Sequence, residues 1–201
     1  MKALIIGCGA MGSWLAWLWK EHLGEVVICD IDERKSRRVA AKLGVGRVPA
    51  KNVEPEADVV LVAVPISAAP KVIEDLAPKL GRRCLLADLC SVKEGVVETM
   101  RKLNTQGELA SLHPLFGPGA TTLAGKDIVS IPVRTRTIYK KFVKAMESLG
   151  AKITEMSAEE HDKLMSVIQC MTHFTLLAYL AAYESLKEFD RRPLRTPLFD
   201  S

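Results

Sequence analysis

Four short segments of this chain carry residue types and spacings that do chemistry. The first is Gly7-Cys8-Gly9-Ala10-Met11-Gly12, which ends an apolar run over residues 2–6 and opens an apolar helical pattern. Gly7 permits a tight turn, Gly9 lets backbone N–H groups approach a pyrophosphate, and Gly12 allows a helix to pack close to a strand. The whole loop, Ala10 and Met11 included, is a candidate dinucleotide cradle, with the helix start turning its unsatisfied donors toward phosphates. Eighteen residues after Gly12, a second apolar run ends on Asp30. That acid is placed to accept both hydroxyls of an adenosine ribose. A carboxylate there repels a 2′-phosphate, so the pattern predicts NAD rather than NADP. Arg34, Arg37 and Arg38 either offset that charge or form a solvated helix face; the solvated face is the preferred reading, because charge runs usually are solvated.

The other three segments are Asp88-Leu-Cys-Ser91-Val-Lys93, Ser111-Leu-His113-Pro-Leu-Phe-Gly117-Pro-Gly119, and Glu160-His161-Asp162-Lys163 with His173 beyond it. The first two follow predicted strands, where open parallel sheets place their ligands. His113 is either a proton-transfer group or a satisfied structural histidine. Ser91 either caps a helix starting at Val92 or offers its hydroxyl to a ligand, and it can do both. His161 and His173 lie twelve residues apart, about 120° around a helix and some three turns distant. At most one of them serves a small site. His173, beside Phe174 in an apolar stretch, is the candidate, although by type it is as readily a core histidine. His161, in a charged first turn, is expected to face solvent or a local ion pair. No histidine or cysteine spacing suggests a metal site, and there is no GxSxG elbow.

The elements that must position these residues alternate. Strands are predicted over 2–6, 25–30, 58–64, 84–88, 108–112 and 127–133, and helices over 11–22, 33–43, 67–80 and 92–103. Residues 58–64 form a continuous apolar run, as a parallel strand buried on both faces does. Val64 and Pro65 close that strand beside the glycine turn and are further candidate cofactor contacts. The order βαβα predicts an α/β, Rossmann-type sheet, mostly parallel with helices on both faces. The tryptophans at 14, 17 and 19 fit a packed amphipathic helix better than a membrane surface.

Near Ala151 the character changes. A dinucleotide-binding domain over 1–154 is followed by the start of a helical domain over 155–201. Ser157-Ala-Glu-Glu160 matches a capping box, and 158–189 reads as one helix. Between 174 and 183 it is apolar nearly all round, so it must be buried on several sides. Either a second subunit covers it or the polypeptide continues past Ser201.

The chain has 201 residues, 48% of them hydrophobic, 26% charged, and a net charge of +4. That charge is too small and dispersed to argue for nucleic acid. Five cysteines (8, 29, 84, 90, 170) show no CxxC pair and no scaffold spacing, which predicts a reducing, cytoplasmic setting. The first strand begins at the N-terminus, so no signal peptide is expected.

Taken together, the glycine loop with Asp30, Val62-Ala-Val-Pro65-Ile66, Asp88-x-x-Ser91-x-Lys93, His113-Pro-Leu-Phe-Gly117-Pro118, and Glu159-Glu-His-Asp162 with His173 resemble, in order and spacing, the prephenate and arogenate dehydrogenases. The resemblance spans nearly the whole chain. It implies tyrosine biosynthesis, in which NAD drives oxidative decarboxylation of prephenate to 4-hydroxyphenylpyruvate. It also implies that the histidine matching His113 takes up the hydroxyl proton. The serine matching Ser91 hydrogen-bonds substrate and histidine, and the histidine matching His173 lies near the substrate's other end. In the family an arginine farther along the helical domain binds the ring carboxylate, and helices beyond it build a homodimer. Arg191, Arg192 and Arg195 come too early for that role. The 201-residue chain is therefore expected to be a truncated enzyme that binds NAD and turns prephenate over poorly. Some relatives are fused to chorismate mutase or prephenate dehydratase modules.

Three rival readings accompany this one. Arogenate, with an amine in place of the keto oxygen, is the nearest. A β-hydroxyacid or pyrroline-carboxylate reductase type would press Lys163 into service, against which the His113 segment argues. A non-catalytic NAD sensor would use the long helix as a partner interface.

Overall fold

A computed structural model describes residues 1–51 and 53–185 of the chain. Eight strands form one sheet in the order β3-β2-β1-β4-β5-β6-β7-β8. They are β1 (Ala3–Ile6), β2 (Val26–Cys29), β3 (Gly46–Arg47), β4 (Val59–Val62), β5 (Leu85–Asp88), β6 (Glu108–Pro114), β7 (Asp127–Arg134) and β8 (Lys152–Glu155). The helices are α1 (Ala10–His22), α2 (Glu33–Leu43), α3 (Ala69–Leu76), α4 (Glu94–Lys102), α5 (Thr137–Ser148) and α6 (Ala158–Ser185). After β3 the chain crosses back past β2 and β1 to lay β4 on the other side of β1, so the strand order reverses there. Such a reversal opens a crevice at the carboxyl ends of the strands.

All pairings are parallel except β6–β7. No helix lies between β6 and β7 to carry the chain back, so the two run antiparallel. The sheet is thus the expected Rossmann type, with β3, α5 and β8 as elements that the apolar pattern did not announce. β1, β4 and β5 are buried along their whole length. One face packs against Trp14, Leu15, Leu18 and Trp19 of α1 and Phe142 and Met146 of α5; the other packs against α3 and α4. Trp19 is fully buried, stacks on Phe142 at 6.4 Å between centroids, and donates its Nε1–H to the Met1 carbonyl at 3.0 Å. The tryptophan-rich helix is therefore a core helix.

The first compact unit runs from Met1 to His161, and the second begins at Asp162. The expected boundary lay at 154/155. β8 and the first turn of α6 belong to the first unit, because β8 pairs with β7 and Ala158 enters the core. The capping box at the start of α6 forms as its sequence predicts: Glu160 N–H donates to Ser157 Oγ at 3.1 Å and Ser157 N–H to Glu160 Oε2 at 2.8 Å. The Ser157 amide holds the Glu160 carboxyl below its ordinary range. The described part of α6 is 28 residues, about 42 Å. By length and composition it is long and apolar enough to cross a membrane, with a mean hydropathy of 1.5. The predicted end of this helix at residue 189 and the three arginines of the tail lie outside the described residues.

Candidate active site

The glycine loop is fixed by contacts that only glycine permits. Gly7 has a φ of 102°, and a Cβ there would stand 2.4 Å from the Ala63 carbonyl oxygen. A Cβ on Gly12 would stand 1.9 Å from the Gly7 carbonyl oxygen. Gly9 is different, since a Cβ on it meets nothing within 4 Å. Gly9 is also the N-cap of α1, and no side chain caps that helix. An open approach, uncapped amides and the positive end of a 13-residue helix suit a pyrophosphate. A dinucleotide fits this loop. Ala10 is exposed and Met11 half-buried beside it, while Val64 and Pro65 follow β4 across the crevice.

Asp30, at the end of β2, is only 9% exposed. Its Oδ2 accepts the Cys8 N–H at 2.7 Å and its Oδ1 the Asp32 N–H at 2.9 Å. It therefore braces the loop from below. Each carboxylate oxygen accepts more than one bond, so the group keeps capacity for ribose hydroxyls. Arg34, Arg37 and Arg38 are exposed, and Arg37 pairs with Glu33 at 3.1 Å, in keeping with a solvated face. The cation that reaches Asp30 is Lys35, at 3.8 Å. A groove of about 880 Å³ runs from Gly9, Ala10 and Ser13 to Lys35, Arg38 and Pro118.

Ser91 follows β5, and His113 is the last residue but one of β6; the two strands are adjacent and in register at Asp88 and Ser111. Ser91 is half-buried and does not cap the next helix: α4 begins at Glu94 with Lys93 as its N-cap, without a side-chain cap bond. The capping role read for Ser91 is thus corrected, because the helix starts two residues later than the pattern suggested. Lys93 is fully buried. Its ammonium donates to Asp88 Oδ2 at 3.0 Å and to the Leu112 carbonyl at 2.6 Å. It therefore ties the Ser91 segment to the strand that carries His113. Among the described residues, Asp88 Oδ1 and Ser111 Oγ are buried without a hydrogen-bond partner, a cost the fold carries beside the site.

His113 is 7% exposed, and its backbone is held opposite Val129. Its Nδ1 lies 2.8 Å from Nε2 of His161, with the rings edge-on at 69°. His161 is fully buried. The expectation that it faces solvent or a surface ion pair is overturned. Ala158 packs into the core and turns the third residue after it, His161, inward despite its charged neighbours. The i, i+3 spacing was visible in the sequence; the charge around it hid the inward face. After His113, Trp14 donates its Nε1–H to the Ala120 carbonyl at 2.6 Å and meets Phe116 edge-on, which pins the following loop to α1. His173 is exposed on α6, in the second unit.

Burial keeps the thiols near the site protonated. Burial, then the Asp30 charge, pushes Cys8 up to about 12, and burial, then the Asp88 charge, does the same to Cys90. A thiol needs to ionise near neutrality to react. Histidine is the side-chain type that exchanges protons near neutrality, and His113 brings one to the carboxyl end of the sheet.

Residues 15–129, more than half the chain, match the family described as prephenate dehydrogenase, nucleotide-binding domain. The chain belongs to the prephenate dehydrogenase family. The family match includes Asp30, Ser91 and His113 and stops before His161. A Methanocaldococcus jannaschii protein named "Probable arogenate/prephenate dehydrogenase" is 29% identical, over 98% of this chain and 46% of its own length. The T-protein of Haemophilus influenzae is 37% identical over 64% of this chain and 34% of its own length. The chain thus spans less than half the length of these two relatives. Among solved structures, the prephenate dehydrogenase of Aquifex aeolicus in complex with hydroxyphenyl propionate and NAD+ shares the fold, with a TM-score of 0.74, 21% identity, and coverage of 100% of this chain and 72% of that one. Synechocystis arogenate dehydrogenase gives 0.75 at 20% identity, covering 95% and 71%.

Proposed function

We propose that this chain is the cofactor-binding and proton-transfer part of an NAD-dependent prephenate dehydrogenase, which converts prephenate to 4-hydroxyphenylpyruvate and carbon dioxide. The observation that carries the reading is a buried histidine, His113, at the same carboxyl end of the parallel strands as a glycine turn that suits a pyrophosphate. Bound NAD would supply a hydride acceptor. The first unit's own residues do the rest. Gly9 and the α1 amides hold the pyrophosphate, and Asp30 holds the ribose. Lys93 ties the segment that carries Ser91 to the strand that carries His113. As the C4–H bond of prephenate gives up its hydride, His113 takes the C4 hydroxyl proton on Nε2, the nitrogen remote from His161. Loss of the ring carboxylate sends its electron pair into the new carbonyl, and the proton returns to that oxygen to leave a phenol. The net reaction releases no proton. Base catalysis of this kind supplies roughly 10²–10⁴ in rate, and holding the C4 hydrogen against the acceptor supplies the rest.

The exposed apolar residues of α6, Phe174 and Leu177 among them, support assembly as a homodimer through this helix. Sedimentation should give a dimer that Leu177→Glu dissociates; a native monomer would refute the assembly.

The test of substrate and cofactor is absorbance at 340 nm with the chain in excess over NAD, so that slow single turnover is visible. Prephenate and arogenate are compared, each with NAD and NADP. The M. jannaschii relative is named for both substrates. The proposal expects NADH with prephenate and none after His113→Asn. Reduction with arogenate alone would move the assignment to that substrate, and no reduction with either would refute the activity.

A further inference from the structure

We propose that His161 is a positioning residue: it holds His113 in the tautomer whose Nε2 is bare, and so makes it a base. The inference rests on His113 being the base of the proposed reaction. It concerns a contact between residues 48 apart in sequence and 2.8 Å apart in space.

At that separation the two facing nitrogens share one proton. Two bare lone pairs repel, and two N–H groups collide. A neutral pair therefore has two arrangements. In one, His161 donates from Nε2, His113 accepts at Nδ1 and carries its own proton on Nε2. That form of His113 has nothing to accept a substrate proton with. In the other, His113 donates from Nδ1 to His161 Nε2, and its own Nε2 is a lone pair. Only the second arrangement is a base.

The second arrangement also survives the chemistry. When His113 gains a proton on Nε2 it becomes an imidazolium with N–H on both nitrogens. Its Nδ1–H keeps donating to His161, now as a charge-assisted bond. No ring has to turn and no other proton has to move, which is the preorganisation that favours proton transfer. The first arrangement would have to reverse its bond first.

The surroundings fix His161 for this task. It lies in the first turn of α6, which the Ser157–Glu160 capping box and the His161 N–H to Ser157 carbonyl bond at 3.0 Å hold in place. Complete burial denies its ring alternative positions in water. On the other side, the β6–β7 pairing and the Lys93 grip on the Leu112 carbonyl fix the His113 backbone. From that fixed backbone the ring of His113 meets His161, and the proton shared between Nδ1 and Nε2 bears directly on its tautomer.

The test reads the proton positions directly. In the NAD-bound chain with ¹⁵N-labelled histidine, long-range nitrogen–proton correlation spectra separate His22, His113, His161 and His173, assigned by single His→Gln variants. At pH about 8, above the ordinary histidine range, His113 should show a protonated Nδ1 and a bare Nε2. His161→Phe removes the acceptor, and the His113 proton should move to Nε2. His161→Gln offers an amide oxygen in the same place and should restore the native pattern; NAD affinity equal to native in both variants reports the fold. Where turnover is measurable, His161→Phe should lower kcat by about 10²-fold with KM nearly unchanged, and His161→Gln should recover most of it. A native His113 with its proton on Nε2, or a pattern indifferent to His161→Phe, would overturn the proposal. The spectra need no substrate, so they hold or fail independently of whether prephenate is the substrate.

Discussion

The two halves of the candidate site are built by different means. The dinucleotide half is made of backbone: a positive φ at Gly7, a carbonyl 1.9 Å from where a Cβ would stand on Gly12, and an uncapped helix start at Gly9. The proton-transfer half is made of side chains meeting across the fold: Lys93 on Asp88 and Leu112, and His161 on His113. The first half tolerates no added atom at two of its glycines. The second tolerates no missing partner. Steric exclusion in one and pairing in the other should make the halves fail separately.

Gly12→Val should give the largest effect. The new side chain meets backbone, which has nowhere to go, so a loss of about 4 kcal/mol or more is expected, read as a fall in the urea midpoint. Gly9→Val, in open space, should leave the midpoint nearly unchanged while abolishing NAD binding.

Lys93→Met should come next. It leaves Asp88 charged and buried without its cation, at a cost of about 3–5 kcal/mol. Replacing both residues, with Asp88→Leu beside Lys93→Met, should recover most of that stability. If the double variant is as unstable as the single one, the loss comes from packing and not from an orphaned charge.

Glu108 offers a smaller test of the same kind. It is buried on β6 and accepts the Arg136, Ile138 and Tyr139 N–H groups at 2.6, 2.8 and 2.9 Å, so it caps α5 from across the sheet. Glu108→Leu should cost about 2 kcal/mol in thermal or urea unfolding, at the upper end of a helix cap. An unchanged midpoint would show that α5 stands on its packing alone.

The smallest effect is on pH. Burial first, and then nearby carboxylates, raises Cys8, Cys84 and Cys90 to about 12 and Cys29 to about 11, from 9.0. The folded state favours the neutral thiol. That contribution is complete below about pH 9 and is lost as pH rises through 11–12. Stability should therefore decline between pH 9 and 11, less steeply in Cys8→Ala. At pH 8, with NAD absent, a thiol reagent should modify exposed Cys170 and spare the other four cysteines.

The same contrast explains what the sequence disclosed. The glycine loop, Asp30, the buried parallel strands and the capping box of α6 are local, so a few adjacent residues announce each of them. Ser91 and His113 were visible because both follow apolar strands. α5 was not, because Arg136 at its N-cap provides no side-chain cap and its cap, Glu108, lies about thirty residues upstream. His161 was misread for a related reason. Its neighbours Glu159, Glu160, Asp162 and Lys163 spell a solvated turn, and only the docking of Ala158 on the sheet turns His161 inward. Lys93 likewise reads as a surface residue until the fold brings the Leu112 carbonyl to it.

The most direct test of a site in two separable halves is NAD binding by calorimetry to the native chain, Gly9→Val and His113→Asn. The account predicts saturable one-to-one binding in the native chain, equal affinity in His113→Asn, and none in a folded Gly9→Val. No binding by the native chain, or binding that Gly9→Val leaves intact, would contradict it.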